Sequence, residues 1–126
     1  MRDLENRLDV LATLVPTGNR TASTNGTGID LQGYDGALVI ISADTITDGT
    51  HTPKVQESDD NSAFTDVVAA DLIGTVLVAI TAASMQKIAY LGAKRYIRLV
   101  VTAAGTTTGG KYGSVVVRGY PSRGPV

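Results

Sequence analysis

Along much of the chain, apolar and polar residues alternate with a period of two, and residues 86–104 show this most clearly. Tyr96, Arg98, Val100 and Thr102 fall on one face of an extended strand, and Ile97, Leu99, Val101 and Ala103 on the other. The second set is wholly apolar and is assigned to the core. An apolar segment at 88–91 precedes it. Between the two lie Gly92, Ala93, Lys94 and Arg95, where glycine permits a turn and the cations favour water, so the stretch is expected to be a hairpin. Residues 37–43 form a nearly unbroken apolar run, short enough for a strand covered on both sides.

The rest of the chain repeats such strands without repeating a sequence. Residues 54–58 and 64–68 read as a hairpin closed by Asp59, Asp60, Asn61 and Ser62, with Phe64, the only phenylalanine, as a core plug. The loop at 44–52 is built on the Asp48-Gly49 turn pair, and Pro53 limits pairing at the start of the next strand. Residues 76–80 fit a strand or part of a short helix, with Gly74 and the β-branched content favouring the strand. Residues 17–28 are a polar connector able to supply an edge strand, 105–110 a polar loop, and 112–119 the last strand. Pro121 and Pro125 block both pairing and helix in the tail. Seven to nine short strands at a spacing of roughly 8 to 12 residues predict an all-β fold, a β-sandwich with a jelly roll as first choice.

The N-terminus departs from this period. Leu4, Leu8, Leu11 and Val15 are spaced by four, three and four, which matches one face of a helix. No clear N-cap precedes them and Pro16 ends whatever they form, so an extended N-terminal arm that orders on a partner is the reading set beside the helix. The expected organisation is an arm over 1–20, a sandwich domain over 21–120 and a tail over 121–126.

Composition narrows the function. A chain of 126 residues holds one core. It has no cysteine, hence neither a disulfide framework nor a thiolate metal site. The net charge of −1 argues against nucleic-acid binding through an overall field. Residues 1–63 carry ten acids and four bases, and residues 64–126 two acids and seven bases, so opposite charges are expected to meet within one subunit or between neighbours. No apolar stretch is long enough to cross a bilayer and the charged start carries no export signal, so intracellular synthesis without membrane attachment is expected.

No catalytic constellation, cofactor motif or metal site emerges, and the chain is read as a non-enzyme. His51, the sole histidine, lacks the partners of a triad or zinc site and is expected to be an exposed loop residue. Glu57, Asp59, Asp60 and Asn61 gather oxygens around a turn without the spacing of a calcium loop, so an Asx-type turn is the expectation. Lys94, Arg95 and Arg98 beside Tyr90 and Tyr96 offer a weak basic and aromatic face, better read as solvated charges or an interface with acidic neighbours than as a single-strand platform. The Thr/Gly-rich segments at 21–28 and 105–110 lack a phosphate-loop lysine and read as exposed loop tips.

Four stretches carry a family resemblance: residues 29–36, the hairpin at 54–67, the segment at 94–102, and Gly119-Tyr120-Pro121. Together they resemble the head decoration, or cement, proteins of tailed bacteriophages. The resemblance implies a β-sandwich on the exterior of a virion head, made in the host cytoplasm, bound to the major capsid protein and homo-oligomeric, with a trimer favoured. Within that reading Leu4, Leu8, Leu11 and Val15, with Arg95 and Arg98, are the expected partner-binding residues. A head-to-tail joining or tail component is the structural alternative, and a carbohydrate-binding module the alternative of another class.

Overall fold

A computed structural model of the chain describes residues 8–16 and 18–121. The strands are β1 (Leu8–Leu14), β2 (Thr24–Asn25), β3 (Ile29–Asp30), β4 (Tyr34–Ile46), β5 (Thr50–Ser58), β6 (Thr65–Asp66), β7 (Leu72–Ile73), β8 (Ser84–Tyr90), β9 (Tyr96–Ala104) and β10 (Gly110–Pro121). All pair antiparallel in two sheets. The first sheet has the order β1-β10-β4-β8-β7, and the second β2-β9-β5-β6 with β3 also on β9. The expected all-β sandwich is the fold observed.

Period two builds the core. Ile97, Leu99 and Val101 of β9 are fully buried, and face Val39 and Ile41 of β4 and Val116 of β10 from the other layer. Register is fixed by this burial: Val39 stands opposite Val116 on one side and Ile88 on the other, and a one-residue slip would turn all three to water.

Several expectations change. Residues 86–104 are not a hairpin, because β8 pairs with β4 in the first sheet whereas β9 pairs with β5 in the second. The five residues between them cross from layer to layer. Tyr90 secures that crossing, its hydroxyl donating to Glu57 Oε1 at 2.7 Å and accepting the Lys94 N–H at 3.1 Å. Residues 76–80 form neither strand nor helix. The Gln86 side chain accepts the Val78 N–H (2.8 Å) and donates to its carbonyl (2.9 Å), occupying groups a ladder needs, while Ile80 is buried in the core and Leu77 packs half-buried against it. Phe64 is no core plug either. It is half-buried with the Arg98 guanidinium 4.0 Å from its ring centre.

The arm expected over 1–20 is, from Leu8 onward, strand β1 at the edge of the first sheet, paired from Leu8↔Gly119 to Leu14↔Ser114. A helix there would leave the flank of β10 without a ladder partner, whereas a strand satisfies both chains. Thr13 and Leu14 are buried, while Leu8, Val10, Leu11 and Val15 of the supposed helical stripe and its surroundings are exposed. Leu4 lies outside the described residues, as do 122–126 of the tail. Pro121 closes β10 opposite Tyr34.

Candidate interaction surface

The outward face of the first sheet is apolar across its strands. Register places Val10, Val117, Leu38, Ala89 and Ile73 in one row running through β1, β10, β4, β8 and β7. The next row holds Ala12, Val115, Ile40 and Lys87, and the one after it Gly113, Ser42 and Met85. Val10 and Ile73 are each 57% exposed and Met85 71%. Beside the small Ala12 and Ser42 side chains, with Pro16 lying over Gly113, a trough of about 580 Å³ runs across β1, β10 and β4, with Asp44 and Lys111 among its lining. Soluble monomers seldom leave so continuous an apolar sheet face to water.

β1 adds a second element. It is an edge strand, and among the described residues one side of its backbone has no ladder partner until Thr13, whose carbonyl accepts the Thr27 N–H at 2.6 Å. Leu8, Leu11 and Val15 expose apolar surface along this edge. An open edge beside exposed apolar side chains is a ready template for another chain.

The expected basic face is largely spent within the chain. Arg95 forks onto Asp30, its Nε 2.9 Å from Oδ1 and its Nη2 2.8 Å from Oδ2. Arg98 donates twice to Gln56 Oε1, at 3.0 and 2.8 Å, and covers Phe64. Lys94 reaches Asp59 at 2.8 Å, and Arg118 pairs with Asp9. These ion pairs join bases of the C-terminal half to acids of the N-terminal half, which locates part of the charge asymmetry inside one subunit.

The fork from Arg95 holds the Asp30 carboxyl down to about 2, helped by the Gln32 N–H. A carboxyl whose folded value is depressed stabilises above its unfolded value, near 4, and that contribution is lost as pH falls through the folded one. Stability is therefore expected to decline between about pH 4 and pH 2. Arg95→Gln should flatten part of this decline in acid melting curves, at a cost of at most about 1 kcal/mol at neutral pH because the pair is half-exposed. An unchanged acid profile would count against the fork.

His51 is corrected most sharply: it is fully buried in β5, not exposed. Its Nε2 lies 3.2 Å from the Asp48 carbonyl and its Nδ1 3.1 Å from the Tyr112 hydroxyl. A carbonyl only accepts, so Nε2–H donates to it, and Nδ1 accepts the hydrogen bond that the Tyr112 hydroxyl donates. The signal was present, since His51, Pro53 and Val55 share the inward face of one strand.

The Asp48 carboxylate in turn accepts the N–H groups of Thr107, Thr108 and Gly109, which lowers its pKa. It thereby ties the 105–110 loop to this end of the sandwich. That loop and the 21–28 segment are not independent tips, because the Thr106 hydroxyl donates to the Thr21 carbonyl. Around the 58–63 turn the oxygens diverge: Glu57 takes the Tyr90 hydroxyl, Asp59 pairs with Lys94, and Asp60 accepts the Ser62 and Ala63 N–H groups. The Asx-type turn is the form observed.

No protein-family model matches the chain, and no curated protein matches it. Among solved structures it is similar to the SPBc2 prophage-derived protein YomS, with 14% identity and a TM-score of 0.56 over 88% of this chain and 91% of that one. A chain from Bacillus endospore appendages, described as disulfide-linked pili, has 9% identity and a TM-score of 0.49 over 91% and 89%. The Tobacco streak virus coat protein has 13% identity and a TM-score of 0.39 over 96% and 90%. At these identities the likeness is one of fold, and the chain shares its two-sheet sandwich with the prophage-derived protein.

Proposed function

We propose that the chain is a non-catalytic structural protein of a tailed-phage or prophage virion, a decoration protein that binds the major capsid protein on the exterior of the head and stabilises it. The observation that carries this reading is the edge of β1, with Leu8, Leu11 and Val15 exposed along it and the apolar outward face of the first sheet beside it. The fold shared with a prophage-derived protein supports it. The strand order, in which each sheet interleaves strands from both halves of the chain, supports reading the sandwich as a jelly roll. Many copies on a repeating shell let individually weak edge contacts add through avidity.

Removing residues 1–15 is a poor test, since it takes away the buried Thr13 and Leu14. Leu8→Asp with Val15→Asp leaves the core intact. Purified protein added to heads assembled without it is expected to bind in hundreds of copies per particle, and the double variant to lose most of that occupancy. A small fixed number per particle would favour the head-to-tail joining alternative. No binding to heads would overturn both.

A further inference from the structure

We propose that a cleft between the two layers, on the side of the sandwich away from β1, binds the chain of a medium-length aliphatic carboxylate, with Lys54 at its mouth taking the head group. The inference stands apart from the shell reading, because it concerns the purified protein and a small molecule.

The cleft exists because strand pairing stops early on this side. β6 and β7 are two residues long each, so most of the edges of β5 and β8 is closed by an irregular segment instead of a full strand. Its anchors lie apart. The Val67 N–H donates to the Val55 carbonyl at 3.1 Å, the Asp71 carbonyl accepts the Leu91 N–H at 2.7 Å, the Gln86 side chain holds Val78, and the Ile80 N–H donates to the His51 carbonyl at 2.7 Å. Between these points the segment borders a space of about 280 Å³.

Three observations say what the space takes. The first is its lining. Pro53 and Val55 of β5 come from one layer and Ile88 of β8 from the other, and Val67, Leu72 and Leu77 close the side. These side chains offer water no partner and a ring nothing aromatic to stack on, which favours an aliphatic chain. The second is size. A dry cavity of about 150 Å³ already holds benzene, so nearly twice that volume admits a chain of roughly ten carbons. Close-packed interiors seldom leave so large a void.

The third is charge at the mouth. Lys54 and Asp66 are the charged residues of the lining, and their side chains are 44% and 62% exposed, which puts them at the rim. They pair loosely: Lys54 Nζ lies 3.2 and 3.4 Å from the two Asp66 oxygens, whereas Gln56 Nε2 donates to Asp66 Oδ1 at 2.9 Å. Lys54 can therefore turn to an incoming carboxylate while Asp66 keeps a donor. A ligand amine would meet Lys54 as a like charge.

Isothermal titration of the purified full chain with decanoate should show one molecule bound per chain with a Kd of about 100 μM, and octanoate should bind about tenfold more weakly because two methylenes leave the cleft. Lys54→Met should weaken decanoate about fivefold and leave decanol unchanged. Methyl NMR locates the site without any variant: decanoate should shift Val55, Val67, Leu72, Leu77 and Ile88 and spare Leu38 and Met85 on the outward face of the first sheet. Val67→Phe, which fills the cleft from a half-buried position, should abolish binding while an unchanged circular-dichroism spectrum shows the fold kept. No saturable binding at millimolar decanoate, shifts centred on Leu38 and Met85, equal affinity for butanoate, or a folded Val67→Phe that binds as the wild type does would each overturn the proposal.

Discussion

Gly26→Ala is expected to destabilise the sandwich by about 3 kcal/mol, although it adds one methyl group in a connector. Gly26 sits where the two layers are joined beside β1. Its N–H donates to the Leu99 carbonyl at 2.7 Å, and the Thr13 hydroxyl donates to the Thr27 carbonyl at 2.7 Å while accepting the Leu99 N–H at 3.3 Å. A methyl on Gly26 would lie 2.6 Å from the Leu99 carbonyl oxygen and 2.7 Å from that of Thr13. Both are backbone atoms of core strands, so relief requires prising β1 from β9. Gly28 is the internal comparison. A methyl there meets the Asn61 amide and the rim of Phe64, side-chain ends that can swing aside, so Gly28→Ala should cost under about 1 kcal/mol. Urea unfolding of both variants decides it, and equal stabilities would show that the junction yields.

The second large effect is expected at His51. Replacement by leucine keeps an apolar body of similar size in the core but strips the Asp48 carbonyl of its donor and the Tyr112 hydroxyl of its acceptor. Two unsatisfied buried polar groups cost about 3 kcal/mol together. The ring also meets Tyr112 edge-on, with centroids 5.1 Å apart. Adding Tyr112→Phe to His51→Leu should recover part of the loss, because it removes the stranded hydroxyl, so a double-mutant cycle should show coupling of about 1 kcal/mol or more. Additive effects would mean that the two rings are near each other without bonding. Loss of the histidine should also speed amide exchange in the 105–110 loop, which Asp48 holds in place.

What was legible in the chain follows the reach of each signal. The core face of β9, the central run of β4, the 54–66 hairpin and the last strand are readable because burial imposes period two on neighbours along one strand. Pairing between layers is not readable that way. Residues 88–91 and 96–101 have the pattern of a hairpin, and nothing local distinguishes a tight turn from a five-residue crossing once Tyr90 and Glu57, 33 positions apart, decide it. Leu8, Leu11 and Val15 misled for a related reason: along an edge strand and just past its end, with water on one side, apolar positions need not alternate, and spacings of three and four arise without a helix. His51 was lost by reading a polar residue in a polar stretch as exposed, when its inward place was set by Pro53 and Val55 and its satisfaction by Tyr112 far along the chain. The interaction surface was only half visible. Exposed Leu8, Leu11 and Val15 were singled out from spacing, whereas the rows through Leu38, Ile40 and Met85 appear only once register aligns four strands.

The measurement that bears most directly on the shell reading is electron cryo-microscopy of virions produced by the genome that encodes this chain. The sandwich should appear as repeated density on the outer surface of the head, its β1 edge turned towards the capsid lattice. Density confined to the neck or tail, or virions without this chain, would contradict it.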